Sequence, residues 1–437
     1  MLIVAWTIAL SLLTILTMIG ASLFKPDLKI KKLSINTYWI IPLLGALVLV
    51  IAGLISLPEI YVGLSADTAI NPLKILALFL SMTLMSIFLD EVGLFRFLAS
   101  FALKKAKTSQ MTMFIILYAL VSFLTMFTSN DIIILTFTPF ICYFAKRAKI
   151  NPLPYLFASF VAANTWSMMF IIGNPSNIYL ASSHGISFLD YVQVMYLPTI
   201  FAGLASFGAL FLLFRKQLST TLGEEVETVQ IKDKFLLIAG LFALGGCTIL
   251  LTVSNYVGLE MYLITLIFAA ALVVIVLLYK AFRKSKPTEL KTTLKRLPWD
   301  LIPFIISMFV IVLALNKHGA TEYLAAFFSD TKPIIKYGVS SFLMSNFINN
   351  IPMSVLFSSV TAYASDAIVL PAVYASIIGS NLGAFLTPIG ALAGMMWMGL
   401  LKSHQVKFTF LKFVELGIFP AVVALGAALL GLFIVLL

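Results

Sequence analysis

Serine, threonine and asparagine gather at four places where long apolar stretches of this 437-residue chain are interrupted. The interruptions are Thr128-Ser129-Asn130-Asp131, Gly173-Asn174-Pro175-Ser176-Asn177, Asn349-Asn350-Ile351-Pro352 and Thr387-Pro388-Ile389-Gly390. Gly173 and Gly390 relax φ, and Pro175, Pro352 and Pro388 each remove a backbone donor, so these five mark expected helix breaks. Inside a bilayer a broken helix survives only where it lines protein or water, because freed peptide groups must find partners. The half-helix ends then present N–H groups one way and carbonyls the other, which suits an ion or a polar solute. Candidate substrate- or ion-binding side chains are Ser129, Asn130, Asn164, Asn174, Ser176, Asn177, Asn349, Asn350, Ser380, Asn381 and Thr387. A lone asparagine in a membrane helix usually serves as interhelical glue. Its recurrence at equivalent places in two repeats, set out below, favours binding.

Asp131 is the carboxylate at these breaks. An aspartate at a helix centre costs about 2.5 to 3.5 kcal/mol on insertion scales, so function is its default reading, with a proton or a cation balancing the charge. The structural reading is an N-cap that accepts from the N–H groups of Ile133 and Ile134. Asp90, Glu91, Asp190, Lys317 and His318 fall at span ends and read as interface anchors. His184, His318 and His404 are too scattered for a metal site, and no HExxH, Walker A loop or GxSxG elbow occurs. No catalytic residue, cofactor or metal is therefore expected, and an intramembrane enzyme is the weak rival to a transporter.

The elements that must position these residues follow from composition. Hydrophobic residues make up 61% of the chain and charged ones 11%, against about 25% charged in soluble domains. Apolar runs near 20 residues long fit α-helical spans rather than the ~10-residue alternation of barrels. The first run, Leu2 to Phe24, has its basic residues after it, at Lys25, Lys29, Lys31 and Lys32, and reads as a retained span with an outside N-terminus. The net charge of +11 sits in short clusters between apolar runs, the pattern of cytoplasmic loops and not of a nucleic-acid surface. Cys142 and Cys247 lie in apolar surroundings and read as small buried residues without a disulfide.

Loop charge places Lys25 to Lys32, Lys104 to Lys107, Lys146 to Lys149, Arg215/Lys216, Lys280 to Lys295 and Lys402 to Lys412 inside. Ordinary spans are expected near 2–24, 38–56, 73–89, 154–182, 191–214, 234–254, 259–279, 300–316, 366–401 and 408–437, about ten, with both termini outside. Met111 to Phe144 has basic flanks on both sides and turns at Thr128 to Asp131, which makes it a hairpin entering from the cytoplasm. Ile334 to Thr361, broken at Asn346 to Asn350, enters from the opposite side. The halves also match in order. Gly93-Leu94-Phe95-Arg96-Phe97-Leu98-Ala99 resembles Gly319-Ala320-Thr321-Glu322-Tyr323-Leu324-Ala325, and Ser122-Phe123-Leu124 recurs as Ser341-Phe342-Leu343. Ala158-Ser159, Asn164 and Ile172-Gly173 align onto Ala375-Ser376, Asn381 and Ile389-Gly390. The expected fold is an all-α polytopic membrane protein of two inverted halves, 1–216 and 234–437, joined by a cytoplasmic linker at 217–233. The linker, with Glu224, Glu225 and Glu227, reads as a solvated connector before it reads as a docking site.

Several motifs taken together resemble one family: Leu89-Asp90-Glu91-x-Gly93-Leu94-Phe95, Ser129-Asn130-Asp131 with Leu135-Thr136-x-Thr138-Pro139, Gly173-Asn174-Pro175-Ser176-Asn177, Asn349-Asn350-x-Pro352, and Gly379-x-Asn381-Leu382-Gly383 with Thr387-Pro388-Ile389-Gly390. They look like the arsenite and antimonite efflux permeases of the ion transporter superfamily. The resemblance implies secondary transport across the cell (inner) membrane: export of neutral arsenite or antimonite in exchange for protons. Asp131, matching the acid of the family's Asn-Asp pair, would be the proton-coupling residue. Many members have Cys and Asp in the Gly-Cys-Asp-Leu-Gly context, where this chain has Ser380 and Asn381. The soft thiolate ligand is thus absent, leaving hydroxyls and amides to bind arsenite. Sodium/proton antiporters and sodium-coupled carboxylate or anion carriers share the architecture and are the alternatives. A homodimer and a docked cytoplasmic ATPase subunit stay open as partners.

Overall fold

A computed structural model of the chain describes residues 2–24, 27–30, 33–66, 71–106, 109–219, 230–328 and 332–437. Lys25, Lys31, Lys32, Lys107 and the acidic residues Glu224, Glu225 and Glu227 lie outside the described residues. In the first half, α1 (Leu2–Phe24) leads into a short ribbon of β1 (Asp27–Ile30) and β2 (Leu33–Asn36), then α2 (Thr37–Ile51), α3 (Leu57–Ser65), α4 (Pro72–Glu91) and α5 (Leu94–Ala106). A hairpin of α6 (Gln110–Phe127) and α7 (Asn130–Arg147) follows. Next comes a helix broken into α8 (Leu153–Trp166), a 3-10 turn (Ile171–Gly173) and α9 (Pro175–Ser182), and the half closes with α10 (Phe188–Phe214).

The second half repeats this order. It runs α11 (Lys234–Thr252), α12 (Ser254–Val257), α13 (Met261–Phe282), α14 (Thr288–Arg296), α15 (Leu301–Lys317) and α16 (Ala320–Phe327). A hairpin of α17 (Pro333–Ile348) and α18 (Asn350–Thr361) follows, then α19 (Val369–Gly383), a 3-10 turn (Pro388–Gly390), α20 (Leu392–Ser403) and α21 (Phe410–Leu436). The ten expected crossings thus map onto α1, α2, α4, α8 with α9, α10, α11, α13, α15, α19 with α20, and α21. Five of these expected crossings fall in each half, and eight helices among the described residues are long and apolar enough to cross a membrane.

Local details repeat as well. Gly93 and Gly319 end α4 and α15 with φ of 96° and 75°, the left-handed stop that glycine takes without a Cβ penalty, and each is followed by a short helix. Pro198 and Pro420 each stand ten residues after the Phe that begins a 27-residue helix. Those two helices, α10 and α21, pack along each other, with Ala202, Leu210, Ala424, Ala428 and Leu432 wholly buried.

The helical membrane fold is as expected, with one small addition and one correction. The addition is the β1–β2 ribbon, antiparallel with Asp27 opposite Asn36. Its sequence alternates Leu28, Ile30 and then Leu33, Ile35 with polar residues, the period of a strand. The predicted span 38–56 stops at Ile51 instead. A separate helix starts at Leu57, where Ser56 and Glu59 form a reciprocal capping box.

The α10–α21 seam depends on small residues. A Cβ added at Gly431 would stand 3.0 Å from Pro198 Cα and 3.1 Å from Pro198 N, both immovable backbone, whereas one at Gly426 would meet nothing within 4 Å. Gly431→Ile is therefore expected to lower the melting temperature of the purified protein by overpacking, at about 1–3 kcal/mol, while Gly426→Ile leaves it within error. Equal melting of both variants in detergent would mean that the seam yields.

Candidate functional site

In the first half the hairpin tip and the broken helix meet through amides. Asn130, buried at the start of α7, donates from Nδ2 to Asn164 Oδ1 at 2.9 Å, and Asn164 Nδ2 donates to the carbonyl of Phe160 one turn back at 2.9 Å. Ser129 Oγ donates to Asn130 Oδ1 at 3.4 Å, and Thr125 ties α6 to the Ala163 carbonyl at 3.1 Å. Beyond Trp166 the helix stops, and Asn177 reaches back from α9 to the carbonyls of Ser167 at 2.8 Å and Phe170 at 3.3 Å. Asn174 caps α9 by accepting from the Ser176 N–H at 3.0 Å, and Pro175 takes the first helical position, where its missing donor costs nothing.

The second half does the same work with different residues. Asn349 separates α17 from α18 at φ 70°, ψ 154°, a region glycine favours and other residues occupy at a cost of about 1–3 kcal/mol. It is held there by its Nδ2 donating to the Ile389 carbonyl at 3.0 Å and its Oδ1 accepting from the Ile351 N–H at 3.4 Å. Asn346 accepts from both Thr387 N–H at 3.0 Å and Thr387 Oγ at 2.8 Å, while Thr387 Oγ accepts from the Ile389 N–H at 3.3 Å. Pro388 opens the 3-10 turn and Gly390 closes it. Pro352 is not a break: it sits in the first turn of α18, which needs no N–H from it, and the chain breaks upstream at Asn349.

Asn381 joins the halves. Its Oδ1 accepts from Ser167 Oγ at 3.1 Å and Asn174 Nδ2 at 2.9 Å, and its Nδ2 donates to Asn177 Oδ1 at 2.7 Å and to the Ile377 carbonyl at 2.8 Å. With 0% exposure, this amide uses both lone pairs and both protons. Around it, Ser176 Oγ, Ser380 Oγ and Asn350 Oδ1 are buried without a protein partner, on helices α9, α19 and α18 that pack on one another. No three His, Cys, Asp or Glu side chains converge among the described residues, so the ligands on offer are neutral oxygens and amide donors.

Asp131 lies in the first turn of α7, half-buried, with no hydrogen bond or ion pair of its carboxylate among the described residues. The N-cap reading is overturned: Ser129 occupies the cap position, and the N–H of Ile133 bonds to the Ser129 carbonyl. Asp90 and Glu91 are more than interface anchors. Asp90 is 2% exposed and accepts from Arg296 Nη2 at 2.7 Å and from Thr136 of α7 at 3.0 Å, while Arg296 also pairs with Glu91. Burial works against the Arg296 charge, but Glu91 and Asp90 outweigh it and hold the guanidinium above its ordinary pKa. Lys317 pairs with Glu59 at 2.8 Å and His318 reaches the Leu54 carbonyl at 2.8 Å. Asp190 begins α10 beside its cap, Ser187. Cys142 and Cys247 are buried and free.

Sequence reading missed Ser167 and Asn346 as site residues. Ser167 directly follows Asn164-Thr165-Trp166, and Asn346 opens the polar run that ends at Asn350, so both stood next to residues already singled out. Arg296 was missed because its partner is 205 positions away.

A family model described as CitMHS, citrate transporter, matches residues 35–379. The arsenical pump membrane protein of Yersinia enterocolitica is 26% identical over 82% of this chain and 85% of its own length. That of Escherichia coli is 25% identical over 86% and 88%, and the 46 kDa membrane protein of Mycobacterium leprae is 25% identical over 90% and 92%. In fold, the chain is similar to the YdaH transporter of Alcanivorax borkumensis, with a TM-score of 0.55 at 12% identity over 99% of this chain and 98% of that one. The chain belongs to the CitMHS citrate transporter family, with arsenical pump membrane proteins among its relatives, and is a multi-pass membrane transporter.

Proposed function

We propose that the protein is a proton-coupled secondary exporter of arsenite and antimonite, carried as neutral trihydroxy species. One observation carries this reading: apart from the Asp131 carboxylate, the side chains at the four breaks offer hydroxyls and amides, among them the unpartnered Ser176 Oγ and Asn350 Oδ1, with Ser380 Oγ beside them, and none of the 29 basic residues falls within a break. A neutral polyol-like solute supplies donors and acceptors to such a surface, whereas a tricarboxylate brings charge that no nearby cation meets. The names of the arsenical pump relatives point the same way. Asp131 is then the proton carrier: it is the carboxylate at a hairpin tip and is free of partners that would fix its charge. In this reading the two halves, 1–216 and 234–437, move against each other, residues 217–233 connect them in the cytoplasm, and both termini lie outside the inner membrane.

The alternative is a sodium-coupled carboxylate carrier, favoured by the family model's description and by the N-terminal end of α7, which has no side-chain cap and suits a carboxylate. Sodium/proton exchange is a further variant of the same architecture. Everted membrane vesicles given a pH or a sodium gradient and assayed for arsenite, citrate and sodium separate these readings. Arsenite accumulation that follows the pH gradient is the expected result; citrate or sodium movement in its place would sink the proposal.

Asn381→Ala leaves Ser167, Asn174 and Asn177 each short of a partner, at roughly 1–3 kcal/mol for a buried group left unpaired. The variant is expected to insert into the membrane but to melt lower and to lose most of its transport. Full transport at unchanged melting temperature would reduce the amide hub to packing.

Asp131→Asn keeps the shape of the side chain and removes its proton. The expected outcome is a protein that expresses and melts like the parent, in which a pH gradient no longer drives solute uphill and any remaining flux is downhill. Accumulation equal to the parent's would remove Asp131 from the coupling step.

A further inference from the structure

Helix α14 lies beside the end of α13 and carries two faces of different chemistry. Its inner face buries Leu290 and Thr293 and sends Arg296 to Asp90 and Glu91. Its outer face, with Leu277 of α13 and Trp299, borders a groove of about 560 Å³ lined by Leu277, Pro287, Leu290, Lys291, Leu294, Lys295 and Trp299. Trp299 is pinned by its Nε1 donating to the Leu294 carbonyl at 2.8 Å, although about half its surface is exposed.

We propose that this groove binds an anionic glycerophospholipid, one acyl chain lying along Leu277, Leu294 and Trp299 and the phosphate meeting Lys291 and Lys295. The groove floor is apolar and continuous with Val274 and Leu278, exposed side chains on the bilayer-facing flank of α13, so a hydrocarbon chain enters it directly from the membrane. The two lysines, four residues apart and on one face of α14, are exposed and have no ion pair among the described residues. The acids nearby are already used: Glu289 by Lys280 at 2.9 Å, Asp90 and Glu91 by Arg296. Trp299 stands just before α15 begins, and an indole at the end of a span suits the headgroup region. A soluble acidic peptide would match the lysines but not a groove that opens into hydrocarbon. Because the same helix holds Arg296 on Asp90, and Asp90 holds Thr136 of the first hairpin, a lipid seated here braces the hairpin from outside.

Native mass spectrometry of the purified full chain, after exchange into detergent with equimolar phosphatidylglycerol and phosphatidylcholine, tests the site. The parent is expected to retain phosphatidylglycerol preferentially, and Lys291→Gln with Lys295→Gln to lose that preference by about 30-fold, since each lysine near an anionic headgroup contributes a comparable share. Lys284→Gln with Lys286→Gln removes the same charge from exposed residues outside the groove and is expected to keep the preference. Equal loss in both double variants, retention of phosphatidylcholine to the same degree, or displacement of the lipid by inorganic phosphate alone would each overturn the assignment.

Discussion

A helix cut in the middle of a bilayer frees peptide groups that lipid cannot solvate, and most features of this transporter follow from how those groups are paired. Asparagine does it, because its side chain carries the same donor and acceptor as a peptide bond. Asn177 donates to the carbonyls of Ser167 and Phe170, Asn349 donates to that of Ile389, and Asn346 accepts the N–H of Thr387. Side chains therefore close much of each break. Any polar atom left over is left over by design of the local geometry, which is why Ser176, Ser380 and Asn350 stand out.

The pairing is not symmetric, although the elements are. Asn164 and Asn381 occupy equivalent places, and each donates to the carbonyl four residues before it. Asn164 then stays within its own half, accepting from Asn130, while Asn381 is drawn across the interface to Ser167, Asn174 and Asn177. Asn349, freed from Asn381, turns to the Ile389 carbonyl and accepts a strained backbone in doing so. One half carries its break internally and the other leans on its neighbour. A relative movement of the halves must therefore exchange the Asn381 contacts, while the Asn130–Asn164 contact is free to persist.

Much of this was legible in the sequence because the governing rules are local. Hydropathy runs marked the spans, glycine and proline marked two of the four breaks, and the order of weak matches suggested the halves. Pro352 misled because proline breaks a helix only past its first turn. The β1–β2 ribbon was overlooked because four-residue alternation is short beside the runs around it. The wiring of the site lay beyond reach for another reason. That Asn381 bonds Asn177 and not Asn349, or that Arg296 pairs Asp90, depends on three-dimensional packing between segments about 200 residues apart.

The asymmetry also bears on charge. In the first hairpin the position after the tip asparagine is Asp131, and in the second it is Asn350, which is 4% exposed and has an unpartnered Oδ1. A carboxylate at both tips would leave two like charges in apolar surroundings, each needing its own proton or cation. With the charge on one tip alone, the second hairpin is left as a neutral hydrogen-bonding surface, and the first is braced within α7, where Thr136 meets the Asp90–Arg296 pair. The half that carries the titratable group is thus tethered to the α14 loop helix through side chains, whereas the half that lacks it is tethered through Asn381 to its partner. In the proposed reading coupling falls to the first hairpin and a neutral binding surface to the second, and the Asn381 amide ties the second half to the first.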